Sequence, residues 1–263
     1  MDLQLSNKTA FISGSTAGIG FATAQRLLQE GATVIINGRS EQRVQEAIKK
    51  LKQQAPNAKV SGIAADFSKA DEVNNLVNQL DAVDILINNA GIFEPKNFVD
   101  IPDADWLNLF EVNVLSGVRL SRHLFPKMKA KNWGRIIFIS SESAINIPEE
   151  MIHYGMTKTA QLAVSRGLSE LTKGTNVTVN AILPGPTRSE GVDEFVKQVA
   201  SSKGITLEQA ETEFFRTMRP TSLIQRFASV EEVANFIAFI SSPLSAAING
   251  ASLRADGGVV KTI

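Results

Sequence analysis

Short apolar runs rich in β-branched residues recur along this chain with amphipathic stretches between them, and that alternation leaves few folds open. The runs are KTAFIS (8–13), TVIIN (33–37), KVSGIAA (59–65), VDILIN (83–88), GRIIFIS (134–140) and VTVNAIL (177–183). Each is short and largely apolar, as a parallel strand buried on both faces requires. Between them, apolar residues fall three and four apart, at Phe21, Ala24, Leu27 and Leu28 and again at Val44, Ala47, Ile48 and Leu51, which traces one face of a helix. Strand, helix, strand repetition predicts an α/β fold, a doubly wound parallel sheet with helices on both faces. A chain of 263 residues with 43% hydrophobic content is long enough to bury a large core, and no linker divides it, so residues 1–263 are expected to form a single domain. The rhythm breaks from about Thr187 to Ser222, a helix-prone stretch expected to supply no strand and to leave the sheet as a functional excursion.

Charge and composition narrow the function. Lys plus Arg and Asp plus Glu both total 27, so no net field draws nucleic acid or an anionic membrane. The absence of cysteine excludes thiolate zinc sites, disulfides and cysteine nucleophiles. His123 and His153 are too few and too far apart for a metal cluster or a Ser-His-Asp triad, so no metal is expected. His153 is expected at a pocket edge or on the surface, and Glu142, Glu149 and Glu150 in solvent or against substrate. No apolar run approaches the length of a membrane span and the first residues do not read as a leader, so a soluble cytoplasmic protein is expected.

The first strand runs directly into SGSTAGIG, with Gly14, Gly18 and Gly20 leading into a helix that begins around Ile19. Glycines at such a turn let the backbone approach a pyrophosphate, whose charge the helix N-terminus favours. With NNAG (88–91), Asn113 in EVNV, ISS (139–141), YGMTK (154–158) and PGPT (184–187), this loop makes the chain resemble the short-chain dehydrogenases/reductases over nearly its whole length. The family's usual threonine before the first glycine is Ser13, which keeps a hydroxyl. The resemblance implies a Rossmann-type sheet and an oxidoreductase that interconverts a ketone and a secondary alcohol using NADP(H), with NAD(H) as the alternative cofactor.

Moving a hydride to a carbonyl leaves an oxygen that must take a proton, so such a site needs a positioned acid. Tyr154 is the one tyrosine of the chain, and Lys158 follows it at i+4, on the same face of a helix. A neighbouring ammonium, together with an oxidised nicotinamide, is expected to pull the phenol's pKa down towards the working range. The resemblance makes Tyr154 the proton donor, Ser141 the group that polarises the substrate oxygen and Asn113 a proton-relay residue serving Lys158. Ser140 and Ser143 stand close enough in sequence to compete with Ser141.

The same resemblance assigns the cofactor to the glycine loop (Gly14, Ser15, Gly18, Ile19, Gly20), to Asp66 and Phe67 at the adenine, to Asn88, Ala90 and Gly91 near the ribose, and to Tyr154 and Lys158. Pro184, Gly185 and Thr187 are implied at the nicotinamide end. In IINGRS (35–40), Gly38 stands where NAD-binding folds commonly carry an acid, and Arg39 can engage a 2′-phosphate. For the substrate, Phe93, Glu94, residues 143–151 and the excursion are expected to line the pocket. Phe195, Phe214, Phe215 and Met218 could form an apolar lid, and Arg216 and Arg219 could hold an acid or phosphate. A 3-oxoacyl thioester, a sugar, a steroid and a small cyclic ketone all remain open. A rival reading is a catalytically silent nucleotide sensor or scaffold on the same fold. The resemblance further implies a homo-oligomer, a tetramer, built through helices around 105–130 and 153–172 and the C-terminal ASLRADGGV.

Overall fold

The computed structural model describes residues 1–263 and contains the expected sheet. Strands β1 (Thr9–Ile12), β2 (Thr33–Gly38), β3 (Val60–Ala64), β4 (Ile85–Asn88), β5 (Gly134–Ile139) and β6 (Val177–Pro184) coincide with the six apolar runs. They pair in parallel in the order β3-β2-β1-β4-β5-β6, and a seventh strand, Ser252–Ala255, closes the far edge beside β6. Chain order reverses between β1 and β4, and ligands bind at the carboxyl ends of strands beside such a reversal.

The central strands have no polar face because each face meets helices. Ala10, Ile12, Ile85, Ile87, Ile137 and Ile139 point into one core. Their neighbours Phe11, Leu86, Ile136 and Phe138 point into the other. This is the period of two that a strand imposes. Helices α1 (Gly18–Gln29), α2 (Glu41–Gln54) and a late helix, Val230–Ser241, fill the first core through Leu27, Val44 and Ile237. Helices α3 (Ala70–Asn78) and, further along, Ser116–Ala130 and Ile152–Glu170 cover the opposite face through Leu76, Leu120, Leu124 and Leu168.

Two expectations need correction. The stretch around 105–130 is not one continuous helix: α4 (Asp103–Phe110) and α5 (Ser116–Ala130) are separated by a π-helical turn, Glu111–Leu115, that carries Asn113. Such turns widen a helix locally and occur often at functional sites. The excursion does contain a strand, the two-residue β7 (Thr187–Arg188). It pairs in parallel with Ala228–Ser229, which we label β8, so the excursion is tied off six residues later than the sequence suggests. Between them, α7 (Glu190–Lys203) and α8 (Leu207–Thr217) pack on a small core of Val196, Ala200, Ala210, Phe215 and Phe227. The remaining elements are α6 (Ile152–Glu170), α9 (Val230–Ser241) and the edge strand β9 (Ser252–Ala255). No helix is long and apolar enough to cross a membrane.

Candidate active site

Loops at the carboxyl ends of β1, β2 and β4 are laced together by buried polar side chains. The Ser13 hydroxyl accepts from the backbone N–H groups of Asn89 and Ala90, both at 2.9 Å. Asn89 Nδ2 donates back to the carbonyls of Ser13 (3.0 Å) and Gly14 (2.8 Å). Asn37 Oδ1 accepts from Gly14 N at 3.0 Å, while its Nδ2 donates to the carbonyls of Ile63 and Ala65. Ser15 is fully buried, accepting from Asn37 N at 2.9 Å and donating to the Ile12 carbonyl. Ser15 and Asn88, whose Nδ2 reaches Ser121 Oγ, thus brace the wall from behind. Sequence reasoning missed Ser13, Asn37 and Asn89 as bracing groups, because their partners lie more than 20 residues away.

This framework fits a dinucleotide. Gly14 lies in the left-handed region at φ 60°, and a Cβ on Gly20 would fall 2.6 Å from the Gly14 carbonyl and 2.5 Å from Asn89 Nδ2. The loop is therefore closed to side chains and presents bare backbone. Helix α1 starts at Gly18 with no side-chain cap and no acid in its first turn, whereas Ser40 caps α2. Free N–H groups at an uncapped helix start favour an anion. A groove of about 450 Å³ runs beside them, lined by Gly14, Gly38, Arg39, Asp66, Phe67 and Ala90 among others. Burial pushes the Asp66 carboxyl up, but hydrogen bonds from Ser68 and the charges of Lys69 and Arg39 outweigh it and hold the carboxyl below its ordinary value. Arg43, one turn into α2, faces the same groove and supplies a second cation that the sequence reading missed.

Gly91 links this groove to a second cavity of about 400 Å³ at the ends of β5 and β6. Ile19, Ser141, Tyr154, Lys158, Pro184, Gly185 and Thr187 all line it. The Ser141 hydroxyl caps a short 3-10 turn by accepting from Ser143 N at 3.1 Å, and it stands close enough to the Tyr154 phenol to lower its pKa. The Ser140 hydroxyl is engaged elsewhere, donating to the Lys158 carbonyl at 2.8 Å. Lys158 Nζ lies 5.5 Å from the centre of the Tyr154 ring and donates to the Ile139 carbonyl at 3.0 Å. Asn113 clamps the loop segment beyond Gly91, its Oδ1 accepting from Ile92 N (2.8 Å) and its Nδ2 donating to the Ile92 carbonyl (2.9 Å) and Thr157 Oγ1 (3.0 Å).

Burial reverses the expected phenol titration in the ligand-free chain. Desolvation lifts Tyr154 to about 12; the Ser141 hydrogen bond and Arg219 pull it down, and Glu142 pushes it further up. The same burial lowers Lys158 to about 8, so the ammonium expected to tune the phenol is itself destabilised. Because Tyr154 is the one tyrosine, alkaline difference absorbance of the ligand-free chain reports this residue alone. Its midpoint is expected above that of a free phenol; a midpoint at or below 10, the ordinary tyrosine value, would show the oxygen to be well solvated.

The sequence profile of the family described as short chain dehydrogenase matches residues 8–200. The chain belongs to the short-chain dehydrogenases/reductases. An uncharacterised oxidoreductase of Bacillus subtilis (strain 168), YvaG, is 50% identical over 263 residues, covering all of both proteins. The 3-oxoacyl-[acyl-carrier-protein] reductase FabG of Aquifex aeolicus is 29% identical across 98% of this chain and 100% of its own. The crystal structure of L-sorbose reductase from Gluconobacter frateurii, complexed with NADPH and L-sorbose, matches with a TM-score of 0.94 at 31% identity over the full length of both chains.

The substrate side of this short-chain dehydrogenase departs from expectation at several residues. Phe93 lines the cavity, its ring 6.1 Å from that of Tyr154 and edge-on to it, while Glu94 turns out to pair with Lys96. Phe195, Phe214 and Met218 reach the cavity from the excursion, but Phe215 is 1% exposed and packs inside the small α7–α8 core instead. Arg216 sits on a separate surface depression with Glu208 and Glu213, so it does not face the cavity. His153 is neither at the rim nor on the surface: it is fully buried edge-on to Trp106, and burial lowers its pKa. Of the two places expected for Glu142, solvent is excluded, since it is 3% exposed and paired with Arg219, while it does line the cavity.

Proposed function

We propose that this chain is an NADP(H)-dependent reductase of ketones, working reversibly on the corresponding secondary alcohols. The observation that carries the reading is the convergence of Ser141, Tyr154 and Lys158 on one cavity that joins a cation-lined groove through Gly91. NADPH, when bound, supplies the hydride. Tyr154 holds the proton at its phenolic oxygen and gives it to the carbonyl oxygen, while the Ser141 hydroxyl hydrogen-bonds that oxygen and orients the carbonyl. Lys158 lies beneath the phenol and is placed to hold the ribose. Asn113 fixes the backbone at Ile92 that forms the floor beside it. Arg39 and Arg43 would engage the 2′-phosphate, and the NADPH held by L-sorbose reductase supports that choice.

Loss of reduced-nicotinamide absorbance on adding a panel of ketones tests the reading, with NADPH expected to give a higher kcat/KM than NADH. A chain that binds NADPH tightly and consumes none with any ketone would be the sensor instead. We also propose a homotetramer, since Leu107 on α4 is 71% exposed and Val99 just before it 88%. Light scattering at micromolar concentration is expected to give a mass well above the 28.4 kDa of one chain, and a monomer mass would refute the assembly.

A further inference from the structure

One wall of the substrate cavity carries a buried ion pair that the proton-transfer chemistry does not use. Arg219, at the end of the excursion, is 7% exposed. Its Nε donates to Glu142 Oε1 at 2.7 Å, and its Nη1 donates to the Met218 carbonyl at 2.8 Å and to Glu150 Oε1 at 3.4 Å. Its Nη2 has no partner in the chain, and Glu142 Oε2 is buried without one. Glu142, Glu150 and Arg219 all line the cavity. Glu142 directly follows Ser141, and both Glu142 and Arg219 stand close enough to Tyr154 to move its titration. The pair therefore lines the same cavity as Ser141 and Tyr154.

We infer that Arg219 and Glu142 read a hydroxyl group next to the reacting carbonyl, and that the substrate is an uncharged hydroxyketone. The inference rests on the ketone-reductase reading above. Two carboxylates flank the single guanidinium, and Asp256 stands near enough to Glu142 to push its carboxyl further up. Arg219 is already paired with both carboxylates, so an acid or phosphate on the substrate would have to displace one of them, whereas a neutral oxygen needs only the unpartnered Nη2. A hydroxyl accepts from Nη2 and has a proton to give to a carboxylate, whereas the oxygen of a thioester or ether can only accept. Glu142 Oε2 has no hydrogen-bond partner within the chain, which leaves that acceptor capacity free. Phe195, Phe214, Met218 and Phe227 also line the cavity and supply apolar contact for the rest of the ligand.

Hydroxyacetone, acetone and pyruvate share one carbon skeleton and differ in the group this pair would meet. With NADPH and the wild-type chain, kcat/KM for hydroxyacetone is expected to exceed that for acetone and for pyruvate by about 10- to 100-fold, mostly through KM, the scale of one charge-assisted hydrogen bond. In a chain carrying both Glu142→Gln and Arg219→Met, the advantage of hydroxyacetone over acetone is expected to fall to near parity. Equal kcat/KM for acetone and hydroxyacetone in the wild-type chain overturns the inference and leaves ketone reduction standing. A preference for pyruvate overturns it in favour of an acid site. If none of the three, nor any other ketone, oxidises NADPH, the reductase reading falls and takes the inference with it. The wild-type comparison decides the matter even where the double variant does not fold.

Discussion

Replacing Tyr154 by Phe is expected to lower turnover by about 10²- to 10⁴-fold, the usual scale for losing a positioned acid, while leaving NADPH binding nearly intact. The ring survives the substitution, so the edge-on contact with Phe93 and the packing of α6 remain, and only the phenolic oxygen is lost. No second tyrosine can substitute, and His153, its sequence neighbour, is sealed against Trp106 with neither ring nitrogen hydrogen-bonded. The pH dependence has a definite sign. A phenol lifted to about 12 is protonated through the neutral range, ready to donate in the reducing direction. Alcohol oxidation needs the deprotonated oxygen, whose fraction grows about tenfold per pH unit below that value. The oxidation rate is therefore expected to climb with pH while reduction does not. Normal activity in the Phe variant would remove Tyr154 from the mechanism.

The second large effect concerns the choice between nicotinamide cofactors. Arg39 and Arg43 line the adenosine-side groove together, and each charge-assisted contact to a 2′-phosphate is worth roughly 10- to 100-fold in affinity. Arg39→Ile combined with Arg43→Gln is accordingly expected to cut kcat/KM for NADPH by about 10²-fold or more, with little change for NADH. Introducing an acid through Gly38→Asp is a poorer test. A Cβ there would lie 2.5 Å from Thr16 Cγ2, so lost binding would mix displacement of the Thr16 side chain, which lines the groove, with charge repulsion. A wild-type chain that favours NADH would refute the role given to both arginines without touching that of Tyr154.

The parts of this architecture legible in the sequence are those set by local spacing. Six strands announced themselves because runs such as β4, β5 and β6 are buried along their whole length and are therefore mostly apolar. The seventh, Ser252–Ala255, alternates exposed Ser252 and Arg254 with half-buried Leu253 and Ala255 at the sheet edge, so it offers no apolar run to read. Tyr154 and Lys158 were visible as a pair because one helical turn brings them together. Glu142 and Arg219 are 77 residues apart, joined only when the excursion folds back over the strand ends, and no spacing rule reaches that far. Tyr154 shows a second limit. Its position was readable, but its titration depends on how much water the fold leaves around the oxygen, and desolvation outweighs the lowering by Ser141 and Arg219. The π-helical turn at Glu111–Leu115 escaped for a related reason, since the apolar pattern around it is compatible with an unbroken helix.

The central claim is that a hydride passes from NADPH to a ketone carbon in the cavity bounded by Ser141, Tyr154 and Lys158. NADPH carrying deuterium at the transferable position, incubated with the chain and hydroxyacetone, tests it most directly when the product is analysed by mass and by proton resonance. The account predicts one deuterium on the carbinol carbon for each cofactor oxidised, and the loss of that product in Tyr154→Phe. Cofactor that binds yet stays reduced with this and every other ketone, or that is oxidised without label reaching the alcohol, would contradict it.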